Sequence, residues 1–270
     1  MTVLNDVSYG THERNIVDIY IPDNPKTREG VVLIIHGGGW KTGDKSIHSA
    51  DAQRLCSLGY ISAAMNYRFV SESINISDEL SDITAALQRI KEVCAQYGCN
   101  LTKVMLTGGS AGAHLSMLYA YTMTNKSPLE IVALFCSCPP VDCAAPDFLI
   151  GINGEFENWK YEVLSDCCSM KITKRNFMSP ESQGALKNIS PLKYISNSSV
   201  PIAVCQGKKD EIVPYNQVVS FVNRLKGMEV TCDLIIYENS GHALGMDPEA
   251  AEKANELMNE YIRLYLEKRR

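Results

Sequence analysis

Residues Val31–Ile35 read VVLII, a run of apolar side chains with no polar break. An amphipathic helix would interrupt such a run within a turn, and a half-exposed strand would alternate it. A strand buried on both faces accommodates it, and that is the habit of the central strands of a parallel sheet. Related runs recur at Tyr60–Tyr67 (YISAAMNY), Val104–Gly108 (VMLTG), Ile131–Cys136 (IVALFC), Pro201–Gly207 (PIAVCQG) and Cys232–Tyr237 (CDLIIY). Helical periods lie between them. The clearest carries Leu80, Ile83, Leu87, Ile90, Cys94 and Tyr97, with Ser77 as its cap, Asp78 and Glu79 in its first turn and Gly98 as its stop. Further helices are expected from Asp44 to Ser57, Ala111 to Met123 and Pro214 to Lys226. A last one is opened by Asp247 and Pro248, with Ala254, Leu257, Met258, Tyr261 and Leu264 on its apolar face. This alternation predicts an α/β fold, a mainly parallel central sheet with helices on both faces. Val3–Tyr9 and Asn15–Ile21 predict an opening hairpin. The length of 270 residues suits one such domain.

The segment Cys143–Ser196 breaks the rhythm. It is polar and irregular, and too long to be a structureless loop in a compact domain. It is expected to carry its own helices and to form a small cap insertion at the edge of the sheet. Phe148, Phe156, Trp159 and Tyr161 within it supply either an aromatic wall for a substrate or the insertion's own core.

Several function classes are disfavoured. The formal charge is -5 and no basic run or basic helix face appears, so nucleic acid is not an expected partner. Lys268, Arg269 and Arg270 read as a solvated helix end, where positive charge suits the helix dipole. No apolar stretch approaches the roughly 20 residues of a membrane span. The N-terminus lacks a basic start followed by an apolar stretch, so a cytoplasmic location is the default expectation. There are ten cysteines but no CxxC pair, and Cys136, Cys138, Cys205 and Cys232 lie in strand-like runs. They are read as small core hydrophobes in a reducing compartment, with no metal site.

Three local patterns carry chemistry. Thr107–Leu115 (TGGSAGAHL) places Gly108, Ser110 and Gly112 as G-x-S-x-G between a strand and a helix, a turn tight enough to lift a serine hydroxyl out of the fold. His36–Trp40 (HGGGW) follows the central strand directly. Its glycines leave backbone N–H groups free to converge on an anion, so Gly38, Gly39 and, after the serine, Ala111 are read as an oxyanion hole. A phosphate loop would end in Gly-Lys-Ser/Thr, whereas Trp40-Lys41-Thr42 stands here, and no cofactor is expected. Downstream, Asp210 and His242 both follow strands, in the order Ser, Asp, His that this architecture demands. Ser110 is thus read as nucleophile, His242 as base and Asp210 as the acid that orients it. Glu211 and Asp142 compete for the acid's place. His12 and His48 read as surface residues, His114 as packed behind the nucleophile, and His36 as a brace of the glycine loop. Asp44 reads as a helix cap. Trp40 and Trp159 are the expected substrate contacts, with packing of the glycine loop an equal role for Trp40.

Taken together, HGGGWKTGDK, NYR (Asn66–Arg68), GGSAGAHL, SPLKYI (Ser190–Ile195), GKKDEIVP and SGH resemble the α/β-hydrolase carboxylesterases. The nearest subgroup is that of the bacterial feruloyl and acetyl-xylan esterase-like enzymes, related to the hormone-sensitive lipase branch. The resemblance runs from about Tyr9 onward and implies the same triad and oxyanion hole. Two departures stand out: Gly109 replaces the acid that the lipase branch usually places before the serine, and the first expected strand begins almost at once, so that branch's long N-terminal cap is not expected here. The expectation is a serine esterase for small-molecule substrates, short-chain carboxylic esters such as acetyl or feruloyl esters of sugars, acting through an acyl-enzyme. Kynurenine formamidase-like amide hydrolases and small peptidases share the pattern and stand as the alternative. A non-catalytic binding module on this scaffold is disfavoured because all three triad members are present.

Overall fold

The uninterrupted apolar runs form strands buried across their full width. The computed structural model describes residues 1–150 and 157–267. Its strands are β1 (Thr2–Ser8), β2 (Ile16–Ile21), β3 (Gly30–Ile35), β4 (Ile61–Met65), β5 (Lys103–Gly109), β6 (Glu130–Ser137), β7 (Ile202–Gly207) and β8 (Cys232–Tyr237). They make one eight-stranded sheet in the order β1-β2-β4-β3-β5-β6-β7-β8. The β1–β2 and β2–β4 pairs are antiparallel and every other pair is parallel. The expected hairpin is β1–β2.

The helices are α1 (Ser49–Ser57, after a 3-10 turn at Lys45–His48), α2 (Ile76–Gln96), α3 (Ala111–Thr122), α4 (Pro146–Ile150), α5 (Glu157–Cys168), α6 (Pro180–Asn188), α7 (Tyr215–Gly227) and α8 (Pro248–Ile262). Strand β3 shows why its sequence is apolar throughout. Val31, Leu33 and Ile35 enter one core with α2, α3 and α7, and Val32 and Ile34 enter a second core with α1 and α8. Successive side chains point to opposite faces, so a helix layer on each side makes every position interior.

Some local expectations need correction. Helix α2 is capped by Asn75, whose side chain accepts from the Ser77 amide while Asp78 accepts from the Asn75 amide; Ser77 lies inside the first turn. Asp247 does precede α8, but its carboxylate accepts from the amides of Asn239 and from Ser240 Oγ rather than from its own helix. The insertion does not leave from the sheet's edge. It departs from β6 and returns to β7, which are neighbours inside the sheet, and it carries α4, α5 and α6. Phe156 and Lys268–Arg270 lie outside the described residues. All ten cysteines are free, and nine of them are buried. Among the described residues, no helix is long and apolar enough to cross a membrane.

Candidate active site

The site lies at the carboxyl ends of the parallel strands, where a doubly covered sheet leaves a crevice. Strand β3 ends in the glycine run and β5 ends at Ser110. The two turns interlock through backbone alone. A Cβ on Gly112 would stand 2.0 Å from Ile35 O, and one on Gly108 would stand 2.5 Å from the same oxygen. Ser110 has φ 53° and ψ -121°, a left-handed conformation that a residue with a side chain rarely adopts. Its amide donates to Ser137 O and its carbonyl accepts from the His114 amide, which hold the strained turn in place.

The glycine loop is also specified in detail. Gly38 has φ 120°, and a Cβ there would meet Thr42 O at 2.1 Å. Its carbonyl accepts from the Lys41 and Thr42 amides and from Thr42 Oγ1, so its peptide plane is fixed. Among the described residues, the amides of Gly38, Gly39 and Ala111 have no hydrogen-bond acceptor. His36 braces the loop as expected: its Nδ1–H donates to Gly37 O at 2.6 Å and Arg14 donates to its Nε2 at 3.2 Å. Burial lowers its pKa to about 4, so the ring is neutral. The Asn-Tyr-Arg motif explains itself here. Asn66 links Lys45 N to the Asp44 carboxylate, Tyr67 OH donates to His36 O, and Arg68 pairs with Asp82. Asp44 caps the 3-10 turn through Ser46 N, as the sequence suggested.

Asp210 and His242 meet across two loops. The His242 Nδ1–H donates to the Asp210 carboxylate at 2.9 and 3.0 Å, which leaves Nε2 as the ring's acceptor. Asp210 is 3% exposed. Burial alone would raise its pKa, but the His242 hydrogen bond and charge and the amides of Val213 and Ile212 outweigh it, and the carboxyl is held below the ordinary range. Gln206 Nε2 donates to the same carboxylate. The competing acids are occupied elsewhere. Glu211 accepts from the His242 backbone amide, and Asp142 accepts from the Ala144 amide and Ser190 Oγ. Ser110 and His242 line the same cavity, and no hydrogen bond joins the serine hydroxyl to the imidazole in this structure. Such bonds often tighten only once substrate is bound.

The cavity has a volume of about 620 Å³ and is lined by Gly38, Gly39, Trp40, Ser110, Pro140, Phe148, Trp159, Lys160, Ile212 and His242 among others. Trp40 and Trp159 both reach it. The Trp159 ring lies where a Cβ on Gly39 would be, 2.4 Å from its nearest atom. Trp40 is nearly buried and also packs the loop, its indole N–H donating to His114 Nδ1 at 3.1 Å. His114 then donates from Nε2 to Ile189 O, at the end of α6. The aromatic residues of the insertion divide between the two expected roles: Tyr161 packs edge-on to Phe177, whereas Phe148 and Trp159 line the cavity. His12 and His48 stay away from the cavity, as expected.

Sequence reasoning missed three contributors. Arg14 spans Tyr67 O, His36 and Gly43 O beneath the glycine loop. Cys138, at φ 48°, sits behind the acid–base pair: its sulfur, the Asp210 oxygen and the His242 nitrogen lie within 4.8 Å of one another. Burial pushes its thiol pKa far up, so it is a neutral neighbour. Lys160 lies in the cavity wall. One signal was available: Lys160, Val163, Leu164 and Cys167 form the buried stripe of α5 at helical spacing, with a lysine in an apolar position.

Comparison with known proteins places this arrangement. A family model described as BD-FAE matches residues 17–225. Among curated proteins, the probable carboxylic ester hydrolase LipM of Mycobacterium tuberculosis is 30% identical over 86% of this chain and 53% of its own length. The probable isoprenylcysteine alpha-carbonyl methylesterase ICME of Oryza sativa subsp. japonica is 28% identical over 89% of this chain and 58% of its own. The chain spans about half the length of the curated relatives it matches. Among solved structures, a truncated carbohydrate esterase from gut microbiota superimposes with a TM-score of 0.76, 20% identity and coverage of 97% and 96% of the two chains. Esterase B from Lactobacillus rhamnosis gives 0.76, 19%, 97% and 85%. These likenesses establish the α/β-hydrolase fold.

Proposed function

The chain belongs to the BD-FAE family, and from that membership we propose that it is a serine hydrolase of carboxylic esters, with Ser110 as nucleophile, His242 as general base and Asp210 as the orienting acid. One observation carries the reading. A serine on a strained strand–helix turn, an imidazole oriented by a buried carboxylate, and the Gly38 and Gly39 amides, which have no acceptor among the described residues, share one apolar-walled cavity, with the Ala111 amide next to the serine in the chain. The names of LipM and ICME support the reaction class.

The reaction then runs as follows. Ser110 Oγ attacks the ester carbonyl carbon while its proton passes to His242 Nε2. The carbonyl oxygen becomes an oxyanion held by the N–H groups of Gly38, Gly39 and Ala111. The C–O bond to the alcohol breaks, and the alcohol leaves with the proton from His242. Water then gives a proton to His242 and attacks the acyl-serine, and the carboxylic acid departs as Ser110 regains its proton. The Asp210 carboxylate stabilises the imidazolium in both halves. The cavity volume and the aromatic rings of Phe148 and Trp159 suit short acyl groups or an aryl acyl group such as feruloyl on a sugar.

The test is a pre-steady-state assay with p-nitrophenyl acetate alongside labelling by a fluorophosphonate probe. A burst of nitrophenol and labelling at Ser110 are expected, both lost in Ser110→Ala. Turnover retained by Ser110→Ala would refute the assignment. A parallel arm with N-formylkynurenine addresses amide substrates, and faster turnover there than on any ester would replace the ester reading.

A further inference from the structure

Among the described residues two lysines are deeply buried, and they are treated differently. Lys45 is 7% exposed and sits between the carboxylates of Asp6 and Asp18, each at 2.8 Å. That is the ordinary condition of a buried cation. Lys160 is 1% exposed, and no carboxylate reaches it within ion-pair distance among the described residues. Its Nζ donates to Ile212 O at 2.7 Å and to Phe148 O, and it stands 4.6 Å from the centre of the Phe148 ring. An ammonium carries three protons, and among the described residues these two carbonyls take two of them. Lys160 lines the same cavity as Ser110 and His242, in a largely apolar wall that also carries Trp40, Thr42, Pro140, Phe148, Trp159 and Ile212.

We infer that Lys160 is a specificity residue that pairs with a carboxylate on the substrate, so that the preferred ester bears an anionic group in addition to its scissile bond. The inference rests on the ester-hydrolase reading and names its substrate class: a monoester of a dicarboxylic acid, or an ester of an acidic alcohol. The physical argument is one of completion. A cation in an apolar wall with a spare donor is costly when alone, and an incoming carboxylate both neutralises it and takes the third proton. A neutral donor could tie Phe148 O to Ile212 O without that cost, so bridging the two carbonyls does not by itself call for a charge. Burial lowers the pKa of Lys160 to about 8, which leaves it mostly protonated at neutral pH and titratable just above. Among the described residues, the titratable and charged groups around it are Asp147 on α4, Asp210 before α7, Cys143 before α4 and His242 across the cavity. None of these four groups is hydrogen-bonded to it.

The experiment compares esters of matched size, one member of each pair carrying a carboxylate. p-Nitrophenyl hemisuccinate against p-nitrophenyl butyrate reads the acyl side, and 4-acetoxybenzoate against 4-acetoxybenzamide reads the alcohol side. At pH 7 the anionic member of one pair should show a kcat/KM at least 10-fold above its neutral partner. Lys160→Met should reduce that ratio at least 10-fold, chiefly through KM. In the wild type the ratio should fall between pH 7 and 9.5 as the ammonium loses its proton, an arm that needs no variant and decides the matter if Lys160→Met does not fold. Preference for the neutral member of both pairs, a ratio unmoved by pH, or a variant that lowers both members of a pair alike would overturn the inference and leave Lys160 as a strut. Labelling of Ser110 by a fluorophosphonate without any anionic preference sinks this inference alone. Inactivity on all four esters together with no labelling sinks the hydrolase reading, and this inference with it.

Discussion

The cavity has a floor and a roof that are built on different principles. The floor is backbone: glycines at 38, 39, 108 and 112, a serine at positive φ, and amides that converge because there is no room for side chains between the ends of β3 and β5. The roof is side chain: Phe148, Trp159 and Lys160 from α4 and α5, carried on an insertion. A Cβ at Gly38, Gly108 or Gly112 would run into main-chain atoms, whereas the roof turns side chains toward a ligand. On the proposed reading, the difference separates chemistry from selectivity. The two are tied by the Trp159 ring lying against Gly39 and by polar bridges. Lys41 of the glycine loop pairs with Glu162 and Asp166 of α5, and His114 joins Trp40 to Ile189.

The sharpest way to break this comparison is at the nucleophile. Ser110→Ala should lower kcat on p-nitrophenyl acetate by at least ~10⁴-fold with little change in melting temperature. A loss below about tenfold would mean that the floor does not hold the reacting group.

The next largest effect concerns the two buried histidines, one beneath the floor and one between floor and roof. Burial lowers the pKa of both His36 and His114 from 6.5 to about 4. The unfolded chain therefore takes up protons first. The stability these rings contribute is intact above pH 6.5, declines as pH falls from 6.5 to 4, and changes no further below that. Each accounts for about 3 kcal/mol at most over this window. Thermal melting at pH 7 and pH 4.5 should show the decline, and His114→Gln should make it shallower. A melting temperature flat across that range would contradict the buried neutral rings.

Third, Gly38→Ala places a Cβ at 2.1 Å from Thr42 O and must rotate the loop's peptides. A loss of roughly 10²–10³ in kcat is expected, the cost of one oxyanion donor, with KM for short esters nearly unaffected. If KM rises instead while kcat holds, Gly38 belongs to the binding surface.

The smallest effect belongs to the roof. Trp159 is 40% exposed and its ring covers Gly39. Trp159→Ala should raise KM for p-nitrophenyl butyrate or feruloyl esters by about 10-fold, in keeping with one lost aromatic contact of ~1.5 kcal/mol. A kcat loss as large as that of Gly38→Ala would mean that the ring supports the glycine loop rather than the ligand.

The same division explains what could be read from the sequence. The sheet, the hairpin and the positions of Ser110, Asp210 and His242 were legible because each rests on a local rule: an apolar period, a glycine that a tight turn requires, a chain order. Glu211 and Asp210 are adjacent and chemically alike, and which one meets the imidazole is decided by the turn at Ile212 and Val213, whose amides converge on Asp210. Asn75 was missed as the cap of α2 because Ser77 has the same chemistry two residues later. Arg14, Cys138 and Lys160 were missed because their neighbours lie far along the chain. The insertion was placed at the sheet's edge because its composition says that it is irregular, but not between which strands it leaves and returns.

That placement bears on how such a protein diversifies. Ser137 on β6 lies opposite Cys205, three residues above the point where the chain enters β7 at Ile202. The excursion between them therefore starts and finishes roughly 10 Å apart at a rise of 3.3 Å per residue. Closing such a gap costs little more for a long excursion than for a short one, about 0.6 kcal/mol for each doubling of length. Extra length there is therefore cheap in entropy, but the helices it carries are anchored: Val163, Leu164, Cys167 and Leu186 lie in the same core as Leu33 and Leu115, so a change of length is tolerated only where it leaves those contacts in place.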